Sequence, residues 1–259
     1  MLAYPAIDPI AFSVGPLDIR WYGLAYVTGI LLAWLLCSWL SERGYGRLSK
    51  KDLSDFVPWA TLGIVAGGRL GHVLFYGGTY YLQHPAEIVM IWKPGMAFHG
   101  GLIGVIIAAL CYCRSRNIRL LDLTDFAAVG TPIGLFFGRL ANFINSELWG
   151  RISEVPWAMV FPNGGPYPRH PSQLYEALLE GIVLLILQFV FFRYQHKKAL
   201  RAGFTSGTFL IFYGVFRCFV ELFRAPEDGF IGPLTTGQFL TLPFILLGLF
   251  LVTRSWKKA

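Results

Sequence analysis

Charge is scarce in this 259-residue chain. Only 14% of its residues are Asp, Glu, Lys or Arg, against roughly 25% in an ordinary soluble domain. With 55% hydrophobic residues and a mean hydropathy of +0.53, that shortage excludes a disordered chain and most soluble folds. Cysteine is also scarce, and the four present suggest no disulfide framework. Cys37 and Cys218 fall inside apolar runs, and Cys111 and Cys113 close another, where packing accounts for them better than metal binding does. HExxH, GxSxG, P-loop and GxGxxG motifs are all missing, which leaves zinc proteolysis, acyl-serine chemistry and nucleotide hydrolysis without support. Met1–Ile19 has no basic n-region and contains Pro5, Pro9 and Pro16, so it reads as an irregular or interfacial lead-in rather than a cleavable signal peptide. The net charge of +7 and pI near 9.3 come from short basic clusters between apolar runs. A nucleic-acid binder would gather them on one face.

What is present is a set of apolar segments. Spanning about 30 Å of hydrocarbon takes about 20 helical residues, and seven segments qualify: roughly 20–40, 56–76, 95–113, 124–142, 172–193, 204–223 and 237–253. Gly63, Gly67 and Gly71, and again Gly130, Gly134 and Gly138, recur every four residues, the spacing that lets helix backbones approach closely in lipid. The segments are joined by loops of contrasting charge. One set, with the C-terminal tail, holds Arg43, Arg47, Lys50, Lys51, Arg114, Arg116, Arg119, Arg193, Lys197, Lys198, Arg201, Arg254, Lys257 and Lys258. The opposite side holds only Arg20, Lys93, Arg151, Arg169 and Arg224. Positive charge collects in the cytoplasm, so the expected fold is an all-α polytopic membrane protein with seven transmembrane helices. Its N-terminus lies outside and its C-terminus in the cytoplasm. Residues 1–259 form a single membrane domain, with an interfacial arm at 77–94 and a small external cap at 143–171. No internal repeat or low-complexity tract is evident.

Ionisable residues inside such segments cost about 2.5–3.5 kcal/mol each on insertion scales and need a reason. They are Arg69, His72, His99, Asp125, Arg139, Glu176, Glu180, Arg217 and Glu221. Asp125 opens the fourth segment, where an acid complements that helix's own dipole. The others, with Tyr22, are expected in the outer half of the bilayer. Arg69, Arg139 and Arg217 need anions. Glu221, four residues from Arg217 and three from Arg224, can neutralise one on its own helix face. Arg139 has no acid one turn away, only Asn142. It either pairs with Glu176, Glu180 or Glu221 from other helices, or joins Arg217 on an anionic ligand, for which phosphate best suits the guanidinium fork. In HGGLIG (99–104), His99 is either a base beside glycines that admit substrate or an interfacial histidine beside glycines that pack helices. His72 reads as structural. In RHPSQLYE (169–176), Pro171 suits the first helical position with His170 as candidate cap, and an anion facing that N-terminus is the functional variant.

The run GRLANFINSELWG (138–150) closely resembles the signature of the prolipoprotein diacylglyceryl transferases, bacterial inner-membrane enzymes that begin lipoprotein maturation. The family's other motifs are matched, in order, by WYG (21–23), HGGLIG, RHPSQLYE and the arginine-bearing YGVFRCFVELFR (213–224), so the resemblance covers essentially the whole chain. It implies transfer of the diacylglyceryl group of phosphatidylglycerol to the lipobox cysteine thiol in the signal peptide of a preprolipoprotein. A thioether forms and glycerol-1-phosphate leaves. By this resemblance His99, Arg139 and Arg217 are catalytic, with His99 either removing the thiol proton or holding the lipid head. Asn142 and Tyr22 hold that head, Glu147 and Gly150 shape the rim, Glu221 orients Arg217, Arg224 draws the released anion outward, and His170 joins the lipid-binding set. Neither metal nor organic cofactor is implied, and the partners are lipid and protein, not nucleic acid. A rival class, a transporter of anionic lipid or phosphate, would usually show repeats and helices broken at the midplane. A structural subunit with paired charges leaves the thirteen-residue match unexplained.

Overall fold

A computed structural model describes residues 2–15, 17–93, 95–226 and 229–256. Lys257 and Lys258 of the basic tail, Pro16 of the lead-in and Pro94 of the arm lie outside the described residues. The fold is mainly helical. Its long helices are α1 (Trp21–Glu42), α2 (Lys50–Phe75), α3 (Phe98–Ser115), α4 (Leu120–Ile144), α5 (Ser172–Lys197), α6 (Phe204–Val220) and α7 (Thr236–Ser255). Each falls on one of the apolar segments. Five of them, α1, α3, α4, α5 and α7, are long and apolar enough to cross a membrane. The other two differ: α2 is diluted by glycine, Arg69 and His72, and α6 has 17 residues. Side chains such as Val27, Leu31, Leu35, Leu246 and Phe250 project from these helices exposed. A water-soluble surface would not carry so extended an apolar exterior.

The chain forms two compact units, residues 47–123 and residues 1–46 with 124–259. In the first, α2 begins in a capping box: Ser49 Oγ accepts from Asp52 N at 3.2 Å and the Asp52 carboxylate from Ser49 N at 3.0 Å. Its glycine row then locks against α3. A Cβ on Gly63 would stand 2.6 Å from the Gly104 carbonyl oxygen, and one on Gly71 2.6 Å from Gly100 Cα. Gly100 and Gly104 of HGGLIG are therefore packing residues that let two backbones touch. Arg69, expected to need an anion, is buried and instead donates to three backbone carbonyls, of Ile88 (3.0 Å), Gly95 (3.1 Å) and Glu87 (2.6 Å). It pins the arm, which consists of one helical turn (Tyr80–Gln83) and a 3-10 turn (Pro85–Val89), to α2. His72 lies against Gly95 and stacks on Tyr76, a structural placement as expected.

In the second unit, Gly29 of α1 meets Gly134 of α4, and Gly130 meets Ala33 and Cys37. The α6–α7 pair closes on Gly207 and Gly248, which the four-residue spacing did not reveal because they lie on different helices. The lead-in is not irregular. Ile10–Val14 (β1) and Leu17–Arg20 (β2) form an antiparallel hairpin pairing Phe12 with Ile19 and Ser13 with Asp18. With a second hairpin at Phe230–Ile231 (β3) and Leu234–Thr235 (β4), this makes the protein mainly rather than wholly α-helical. Upstream, Leu2 N donates to Ala158 O, and the Tyr4 hydroxyl donates to the carbonyls of Phe143 (2.7 Å) and Ile144 (3.0 Å). Tyr4 thus joins the cap's small core of Phe143, Met159 and Phe161.

Asp125 also departs from expectation. It caps α6 rather than complementing its own helix. Its buried carboxylate accepts from Gly203 N (2.8 Å), Ser206 N (2.8 Å), Ser206 Oγ (2.7 Å) and Gln195 Nε2 (2.7 Å). The acid is near its own N-terminus in sequence, but the unsatisfied N–H groups it reaches belong to another helix. Asp125→Asn, which puts an amide nitrogen among donors, should lower stability by about 2 kcal/mol or more. The expected result is a lower Tm with transfer activity per folded molecule retained. An unchanged Tm would contradict the capping role.

Candidate functional site

One cluster of charge lies inside the second unit. Arg139 comes from α4, Glu176 and Glu180 from α5, Arg217 from α6, and Glu221 and Arg224 from the turn that ends α6. Glu176 is the hub. Its Oε1 accepts from Arg217 Nη1 at 2.6 Å and Arg224 Nη1 at 2.9 Å, and its Oε2 lies 2.9 Å from Arg139 Nε. That last pair is close but not aligned for a hydrogen bond, so both atoms lack a bonded partner among the described residues. Arg139 Nη2 reaches Glu180 Oε2 at 3.4 Å, and Glu180 Oε1 is buried with no donor among the described residues. Arg217 Nη2 pairs with Glu221 Oε1 at 2.6 Å, as the four-residue spacing predicts. Glu221 Oε2 accepts from Thr235 Oγ1 at 2.9 Å, beside the start of α7. Three arginines thus face three glutamates.

The backbone explains how two carboxylates of α5 reach one face. Residues Ala177–Val183 form a π turn inside α5, and such turns often mark functional positions. Gly181 lets this turn lie directly on Phe136 of α4, where a Cβ would stand 2.7 Å from the Phe136 Cβ. α5 starts at Ser172 after Pro171, which is the cap position rather than the first helical residue. His170 does not cap the helix. Its Nδ1 lies 3.0 Å from the Tyr175 hydroxyl, and its ring packs on Phe223. Burial there pushes the imidazole below its usual range, so it is neutral at neutral pH.

The thirteen-residue motif arranges the rim. Asn142, buried at the end of α4, donates to Glu147 Oε1 at 2.7 Å. Ser146 and Leu148 hold φ near +54° and +58° on either side of Glu147. Non-glycine residues adopt this left-handed conformation only when the surroundings impose it. Gln173 Nε2 donates to the Glu147 carbonyl (2.7 Å) and Ser172 Oγ to that of Leu148 (3.0 Å). Gly150 bridges to the backbone of Arg224. Its N donates to His170 O at 2.9 Å, while Arg151 N donates to Phe223 O at 2.8 Å and Arg151 Nε to Arg224 O at 3.0 Å. Gly150 therefore fixes the strand of chain that aims Arg224 at Glu176. Gly138, in contrast to Gly130, has open space where a Cβ would project.

Tyr22 pairs ring to ring with Tyr26, centroids 5.3 Å apart, and Tyr26 lies within electrostatic reach of Arg139 and Glu147. All the residues expected to bind lipid therefore lie in this unit, with Arg139, Asn142, Glu147, Gly150, His170, Arg217, Glu221 and Arg224 in contiguous elements. His99 lies in the other unit, exposed in the first turn of α3 against Phe98. Sequence reasoning named Glu176 and Glu180 only as partners and left Tyr26 and Gln173 out. The first two were detectable as buried acids four residues apart, and Tyr26 as a tyrosine one turn after Tyr22. Gln173 gave no signal, because its role is a bond to a distant backbone carbonyl.

These features define the class, a mainly helical membrane protein with a buried arginine–glutamate cluster. Comparison with known proteins sharpens it. The sequence profile of the prolipoprotein diacylglyceryl transferase family matches residues 9–254. A phosphatidylglycerol–prolipoprotein diacylglyceryl transferase of Nitrobacter hamburgensis is 48% identical over 268 aligned positions, covering 100% of this chain and 91% of the relative. Proteins of the same name from Brucella ovis and Brucella melitensis are 49% identical, covering 100% of this chain and 95% of theirs. The chain belongs to the prolipoprotein diacylglyceryl transferase family.

Gly150 provides a direct check on the rim. A Cβ there would stand 2.6 Å from Phe223 O and 2.7 Å from the His170 carbonyl oxygen, both backbone atoms with little freedom to move. Gly150→Ala should destabilise the cap by about 1–3 kcal/mol through overpacking and shift Arg224. Faster limited proteolysis between residues 150 and 170, with reduced transfer, is the expected readout.

Proposed function

We propose that Arg139 and Arg217 hold the phosphate of phosphatidylglycerol while its diacylglyceryl group passes to a cysteine thiol. As a member of its family the protein is a transferase of lipoprotein biosynthesis, with phosphatidylglycerol as donor and a prolipoprotein as acceptor. It is a multi-pass membrane protein. We read it as crossing the bacterial inner membrane seven times, N-terminus outside and C-terminus in the cytoplasm. The 143–171 cap and the arginine cluster then face the outer half of the bilayer, and the arm lies along the interface. The fourteen-to-five asymmetry of Lys and Arg supports this orientation.

The observation that carries the reading is the convergence of two guanidiniums, from α4 and α6, on the two oxygens of one buried carboxylate. The side chains of Arg139 and Arg217 remain 16% and 14% exposed, while Glu176 and Glu180 are wholly buried. Each arginine is therefore backed by a buried carboxylate while part of its own side chain stays accessible. A phosphodiester fits there. The reaction forms a bond from sulfur to the terminal glyceryl carbon of the diacylglycerol and breaks that carbon's bond to the phosphate oxygen. The bond electrons leave with glycerol-1-phosphate, whose growing charge the two arginines stabilise. The thiol must lose its proton to attack well, and His99 is the candidate acceptor. Asn142 and Tyr22 orient the lipid head, Glu147 holds Asn142, Gly150 and His170 shape the rim, and Glu221 orients Arg217. Arg224 draws the released anion outward. The acceptor segment is a lipobox cysteine in a signal peptide.

The test is transfer in vitro from phosphatidylglycerol to a lipobox peptide, reading thioether and glycerol phosphate. Arg139→Ala should cut the rate by about a hundred- to a thousandfold, the range for losing a donor to developing charge, with helicity intact by circular dichroism. Near-normal turnover would remove the phosphate role. His99→Gln should slow transfer about a hundredfold or more if His99 takes the thiol proton, and should flatten the pH–rate profile. A variant with substantial rate and an unchanged profile would exclude it as the base.

A further inference from the structure

The charge balance of the cluster poses a problem for any anionic ligand. Three guanidiniums already face three carboxylates, and four of these six groups are nine-tenths or more buried. A phosphodiester arriving at Arg139 brings one more negative charge. Left uncompensated in a buried site, that charge would oppose binding strongly. One of the carboxylates must give way, and the contacts are unequal. Glu176 has all three guanidiniums on its two oxygens. Glu221 holds Arg217 at 2.6 Å and accepts from Thr235. Glu180 has one contact, 3.4 Å to Arg139 Nη2, and its other oxygen is buried with no donor among the described residues.

Building on the reading that Arg139 receives the lipid phosphate, we propose that Glu180 is its displaceable counter-ion: as the phosphate binds, Glu180 releases the guanidinium and takes up one proton. The cluster then stays neutral, with the phosphate in place of the carboxylate on Arg139 and the proton drawn from solvent. The groups around Glu180 permit this. From α4 it faces Arg139, from its own helix Glu176, and from α6 Arg217 and Tyr213. Glu176 is a like charge one turn away that disfavours a second carboxylate once Arg139 is taken. Tyr213 lies within electrostatic reach of Glu180. The π turn at 177–183 places Glu180 in the one stretch of α5 where helical hydrogen bonding is already irregular. Glu180 is thus a positioning residue that sets how tightly Arg139 is engaged before substrate arrives.

Proton uptake is the readout that a merely structural carboxylate would not move. Binding of short-chain phosphatidylglycerol to the full-length protein in detergent is measured by calorimetry in two buffers of different ionisation enthalpy. The wild type should take up close to one proton per lipid bound, and its Kd should weaken as pH rises, approaching tenfold per unit. Glu180→Gln should bind with uptake near zero, no pH slope, and a KM equal to or below wild type at high pH. Glu180→Asp should restore the slope. No uptake in the wild type, or an undiminished slope in Glu180→Gln, overturns the proposal. The wild-type measurement needs no variant, so misfolding of Glu180→Gln does not shield it. Arg139→Gln separates the two levels. If that variant binds lipid as wild type does, the phosphate reading fails. If it loses binding while the wild type shows no uptake, only the counter-ion role fails.

Discussion

Glu176 is the group around which the rest of this protein is organised. A carboxylate with no solvent exposure, carrying three guanidiniums from three stretches of chain, ties the end of α4, the start of α5 and the end of α6 together. Buried ion pairs gain little net stability, because desolvation offsets much of their attraction, yet removing one partner is costly. Their value here is specificity. Arg139, Arg217 and Arg224 all meet at Glu176, and the backbone devices around them serve to bring them there. The π turn of α5, the glycine at 181 and the left-handed Ser146 and Leu148 are all such devices. So is the Gly150–Arg224 bridge.

The same logic explains the division of labour among glycines. Those at 63, 67, 71, 100 and 104 sit where backbones touch and belong to helix packing. In lipid, where apolar side chains gain nothing by leaving hydrocarbon, close backbone contact is a principal source of helix association. Gly138 differs, with open space where a Cβ would project. Equal spacing in the chain therefore does not mean equal function. What surrounds each glycine decides.

Elsewhere, polar groups that looked alike in sequence satisfy themselves in unlike ways. Arg69 donates to three backbone carbonyls, its guanidinium fanning out to the loop backbone. Asp125 is held by N–H and O–H donors from the start of α6 and by the Gln195 amide of α5, toward the opposite end of α4 from Arg139.

Composition and spacing determined a good deal. Apolar segments of about 20 residues became helices because a single segment in hydrocarbon satisfies its backbone only by hydrogen bonding within itself. The rarity of charge inside those segments made Arg139, Arg217, Glu176, Glu180 and Glu221 conspicuous, and the four-residue spacing made Arg217–Glu221 legible as a pair. The motif at 138–150 was enough to suggest the family. Only the tertiary structure decided which anion met which cation. It also showed that Arg69 reached backbone carbonyls of the loop, that Asp125 served a foreign helix, that the lead-in was a hairpin, and that Gly150 aimed Arg224. The physical reason is common to all of these. A periodicity reports which face of one helix is polar, but a hydrogen bond or a close backbone contact requires two elements. The partner's identity is a property of how they pack, not of either sequence alone.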